Sequence, residues 1–167
     1  MTVRDAILLA MPVFAAHASG GSSVVRGELE KAGIPARLAA EIVEFLPIAL
    51  ARAMLEGMGV RFADHYVRMT AQGQVIGQKP LADEPVFREG LAIAGEVSGG
   101  ASGEFMAVAG LSPEYQAINK KLNSGSKSTE LHCGPPLIIA NDRDRRSFDD
   151  TSGGAQQRAK AWWQFWK

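Results

Sequence analysis

The chain has 167 residues, 46% of them hydrophobic and 22% charged, with 18 Lys and Arg balanced against 18 Asp and Glu. This composition argues against a wholly disordered chain, and the missing basic excess argues against a general nucleic-acid binder. A single cysteine excludes an internal disulfide framework and a cysteine-cluster zinc site.

The length suits one domain with a sizeable core. The longest uncharged apolar run is Ala6 to Ala16, and a second covers Phe45 to Ala51. Both fall short of the roughly 18–20 residues that a membrane span needs. Ala16-His17-Ala18 has the A-x-A form of a signal-peptidase site. Residues 1–18 would then be a leader, and the protein secreted or periplasmic. The N-terminus opposes that reading. Arg4 is offset by Asp5, and Thr2 and Asp5 stand three apart, as a capping pair does. The expectation is a buried first helix kinked near Pro12, and a cytoplasmic protein.

After Gly20-Gly21, Ser22 or Ser23 can cap a short helix over VVRGELEKA, and Gly33 suits a left-handed helix end. Pro35 opens the strongest element, a helix from about Pro35 to Met58. At 100° per residue its charges, Arg37, Glu41, Glu44, Arg52 and Glu56, fall within about 120°. They read as a solvated stripe on a helix that is otherwise apolar and central. Glu41 and Glu44 share that stripe, where an acid–base pair is possible but a solvated face is the plainer reading. Pro47 interrupts the backbone ladder, and Gly57 and Gly59 end the helix.

Residues 60–78 carry aromatic and β-branched side chains around Gln72-Gly73, which suggests a small β-hairpin turning at Ala71 to Gln74. Asp83-Glu84-Pro85 starts a helix through VFREGLAIAGEV, and residues 103–110 form another short one. Ser112-Pro113-Glu114 is a start signal of cap, proline and acid, ahead of YQAINKKLNS. Pro135-Pro136 leads into LIIA, a short buried strand or extended segment. Residues 142–155 are polar and poor in aliphatic side chains, so they read as a solvated linker.

Four patterns have the residue types of a chemical site. In His132-Cys133-Gly134 a nearby base could lower the thiol pKa. Neighbours in sequence rarely face each other as base and nucleophile, so His17 or His65 would have to arrive through the fold. A lone cysteine otherwise reads as a small buried hydrophobe. His17, His65 (beside Asp64) and His132 lie too far apart in sequence for a zinc spacing, so no metal is expected. Asn141-Asp142-Arg143-Asp144 resembles the start of a calcium loop. Counted from Asp142, however, Ser147 and Gly153 stand where Gly and Glu are required. The segment Gly99 to Gly103 resembles a phosphate cradle but has no accompanying lysine, so no cofactor is expected.

The C-terminus stands out. All three tryptophans, Trp162, Trp163 and Trp166, fall within five residues and have Phe165 among them. On a helix these four would cover about 160°, with Lys160, Gln164 and Lys167 opposite. Such a segment can dock on its own domain, bind a protein partner or rest on a membrane surface.

Together these features describe a mainly α protein. A single helical domain over residues 1–141 carries a small β-hairpin or short β element, and residues 142–167 supply a polar linker and an aromatic tail. The functional expectation is a non-catalytic protein-binding or adaptor protein, of toxin-neutralising or secretion-accessory type. Trp162, Trp163, Phe165 and Trp166 would be its partner-binding residues. The alternative is a small hydrolase or transferase using His65, His132 or Cys133; the third reading is a membrane-surface protein. The Ala-, Gly- and Arg-rich composition has a bacterial flavour, and no feature selects an oligomeric state.

Overall fold

The computed structural model describes residues 1–96 and 103–139. Within them the chain is mainly α, with six α-helices and a small mixed sheet. They divide into two compact units. The first comprises Met1–Arg61 and Glu84–Cys133, and the second comprises Phe62–Asp83 with residues 134–139.

The first unit is helical. Helix α1 (Val3–His17) opens with the capping box foreseen between Thr2 and Asp5 and runs on through Pro12. Its core face is Ala6, Ile7, Ala10 and Phe14, none of which is solvent-exposed. Helix α2 (Ser22–Lys31) is capped by the backbone of Gly21, not by Ser22 or Ser23. A positive φ of 84° at Gly21 turns the chain there, so both serines fall inside the first turn. Gly33 is left-handed, as expected. Helix α3 (Ala36–Glu56) is central, packing against α1, α2, α4 (Pro85–Glu96), α5 (Gly103–Ala109) and α6 (Pro113–Asn123). A helix with five helical neighbours needs apolar residues around most of its girth. From Phe45 through Arg52 every residue of α3 is buried.

Two short strands, β1 (Arg61–Phe62) and β4 (His132–Cys133), form a separate two-stranded ladder. The Arg61 N–H donates to the Leu131 carbonyl at 3.1 Å.

The second unit holds the foreseen hairpin, β2 (His65–Met69) against β3 (Val75–Pro80). Its turn is closed by the Thr70 N–H on the Gln74 carbonyl at 2.8 Å, with Gly73 at φ 87°. Tyr66, Val67 and Arg68 are buried in succession, so β2 is covered on both faces. That is why its sequence lacks clean alternation. A shift of register between Arg68 and Met69 disturbs the pattern further. Pro80 is tolerated because β3 is an edge strand. The other edge is β5 (Leu137–Ile139), parallel to β2 with Val67 opposite Leu137. The expected buried strand is therefore only half buried: Ile138 points inward, while Leu137 and Ile139 are exposed.

Candidate functional site

A buried ion pair lies inside the first unit, and no sequence motif marked it. Arg52 of α3 and Glu114 of α6 are each only 3% exposed. They form a two-pronged pair: Arg52 Nε donates to Glu114 Oε2 at 3.0 Å, and Nη2 donates to Oε1 at 2.9 Å. The guanidinium also sits 5.9 Å from the Phe87 ring centroid.

This corrects two readings. Arg52 is not part of the solvated stripe, because α6 packs over that sector of α3. Glu114 does stand in the first turn of α6, where the helix dipole favours an acid, but its carboxylate is committed to Arg52. Burial nevertheless pushes the Glu114 carboxyl above its ordinary range, and hydrogen bonding and attraction to Arg52 offset this only in part. Ser112, read as a side-chain cap, makes no capping bond. Its Oγ is buried, with no partner among the described residues.

Cys133 is 2% exposed. Burial first, and then the Glu114 carboxylate, push its thiol up to about 11. At neutral pH it is therefore a protonated thiol, opposite to what a nucleophilic cysteine requires. His132, its neighbour on β4, is exposed. Side chains adjacent on a strand leave on opposite faces, so His132 and Cys133 do not converge. His65 is half-buried on β2 in the second unit, and His17 is half-buried at the end of α1 in the first. Among the described residues, no three His, Cys, Asp or Glu side chains gather to hold a metal ion. Of the carboxylates on the α3 stripe, Glu41 pairs with Arg37 at 3.1 Å.

Chemically, then, the buried cluster is a paired, hydrogen-bonded strut joining α3 to α6. Removing either partner would leave an uncompensated buried charge.

Trp162, Trp163, Phe165 and Trp166, the expected partner-binding residues, lie outside the described residues. So do the linker 142–155, the calcium-loop lookalike at Asp142 and the glycine segment before Gly103. Among the described residues, no helix is long and apolar enough to cross a membrane. The chain matches no family model, no curated protein and no solved structure.

Proposed function

We propose that this protein is a non-catalytic binding or adaptor protein, in which a helical body carries an aromatic C-terminal docking segment. The observation that carries the reading is the clustering of Trp162, Trp163, Phe165 and Trp166 after a polar stretch. Tryptophan is a preferred anchor at protein interfaces because it removes a large, rigid surface from water. The body supports the reading from the other side. Among the described residues of the first unit, the buried Arg52 and Glu114 are paired with each other, and the Cys133 thiol is buried and protonated. Neither offers a base or a nucleophile for chemistry.

The test is a paired capture from native lysate. One bait is the full chain, and the other ends at Gln157. A protein retained by the first and lost from the second supports the proposal. Equal retention on both baits refutes the role of the aromatic segment. Loss of function on His65→Ala or Cys133→Ala, with the fold intact, would favour the hydrolase or transferase reading instead.

A further inference from the structure

Helix α1 has a second apolar face that nothing among the described residues covers. Leu8 is 51% exposed and Leu9 40% exposed, and Pro12, Ala15 and Ala16 are exposed beside them. At 100° per residue these five fall within an arc of about 120°, opposite Ala6, Ala10 and Phe14. Apart from His17 in the last turn, no ionisable residue lies on α1 after Asp5. A surface helix ordinarily sets polar residues on that side. Contiguous apolar surface of this kind marks an interaction site more often than chance exposure.

One edge of the strip is acidic. Arg4 pairs with both Glu89 and Glu96 of α4, and Asp5 lies one residue further on. Two carboxylates thus share one guanidinium there, while the Asp5 carboxylate is held by Thr2. The C-terminal segment after Gln157 has the complementary character: four aromatic side chains with Arg158, Lys160 and Lys167, and no acid.

Chain length permits the match. Residues 140–161 separate Ile139 from Trp162, 22 residues in all. Extended, they span roughly 70 Å, several times the radius of gyration of about 15 Å expected for a compact chain of this length. The segment reaches any face of the first unit, however the two units are arranged.

We infer that residues 158–167 dock on the exposed Leu8–Ala16 face of α1 in the free protein, aromatics on the apolar strip and cations toward Glu89, Glu96 and Asp5. This rests on the proposed role of the segment and adds its regulation: a partner must displace the segment from α1 to bind it.

The three tryptophans make the test label-free, because tryptophan emission from this chain reports on the segment alone. The full chain is compared with Leu8→Gln/Ala15→Gln, and with Leu9→Gln/Ala16→Gln should the first pair lose its circular dichroism. The expected result is blue-shifted emission shielded from acrylamide in the parent. The variants should show a red shift and a several-fold rise in quenching. Emission already typical of solvated tryptophan in the parent overturns the inference. Shielding that both variants preserve overturns it too, since the segment then rests elsewhere. Shielding lost on dilution also overturns it, assigning the contact to a second copy. Partner capture that depends on the segment, with unshielded tryptophans in the free protein, would leave the adaptor reading standing and remove only this inference.

Discussion

Two glycines of α4 predict opposite outcomes for the same substitution. A Cβ at Gly90 would lie 2.8 Å from Ala49 Cβ and 3.1 Å from Leu46 Cδ1, whereas one at Gly95 would meet nothing within 4 Å. Carbon atoms in comfortable contact stand about 3.5–4.0 Å apart. Leu46 can turn, but an alanine Cβ has no torsion through which to retreat. Gly90→Ala must therefore push α4 locally away from α3 by the better part of an ångström. Overpacking of this kind costs about 1–3 kcal/mol, and alanine returns up to about 1 kcal/mol of helix propensity. Gly95→Ala receives only the return, reduced by its place in the last turn. The expectation is that Gly90→Ala is less stable than Gly95→Ala by about 1–3 kcal/mol, with Gly95→Ala at or above the parent. Urea unfolding followed by far-ultraviolet circular dichroism measures the difference. A Gly90→Ala protein as stable as Gly95→Ala would refute the close approach of α3 and α4 and the packing built on it.

Three further predictions concern the first unit. Removing one side of the buried pair, by Glu114→Gln or Arg52→Met, should cost about 3–5 kcal/mol; Arg52→Met with Glu114→Leu should recover most of it, measured by the same urea midpoints. Cys133 should resist a thiol reagent at neutral pH in the folded protein and react only on unfolding. Its folded thiol keeps the proton to about 11, while the unfolded one releases it near the ordinary 9.0. Stability should therefore fall as pH rises from about 9 to about 11, and Cys133→Ala should flatten that slope. Finally, Phe14→Ala should cost about 3–5 kcal/mol, and a chain starting after His17 should lose its helical circular dichroism. A stable, helical protein without α1 would favour the leader reading of residues 1–18.

Helix positions were legible because their signals are local. The Thr2–Asp5 box, Gly33, Asp83-Glu84-Pro85 and Ser112-Pro113 are written within a few residues and act within one turn. The hairpin was legible from Gly73 and its flanking residues for the same reason. What failed depends on residues far apart in the chain. Arg52 and Glu114 are 62 positions apart, and an arginine on a charged stripe looks solvated until another helix covers it. Sequence offered one faint signal, namely that Arg52 lies at the end of a run of residues otherwise all apolar, Phe45 to Ala51. The exposed side of α1 was missed differently. Its residues are apolar on both faces, so periodicity alone could not say that one face is left uncovered. The half-exposed β5 shows the limit of short apolar runs, where three residues cannot display a period.

The central claim, that the aromatic segment carries partner binding while the helical body carries no chemistry, is tested most directly by equilibrium binding of the purified captured partner. Three chains would be compared: the parent, Trp163→Ala/Trp166→Ala and the chain ending at Gln157. Truncating an interface anchor costs about 2 kcal/mol or more, roughly 30-fold in Kd for each tryptophan that acts as one. The account predicts at least that loss in the double variant and no measurable binding by the shortened chain, both with parental circular dichroism. Equal affinity across all three would contradict it and move the binding surface onto the body.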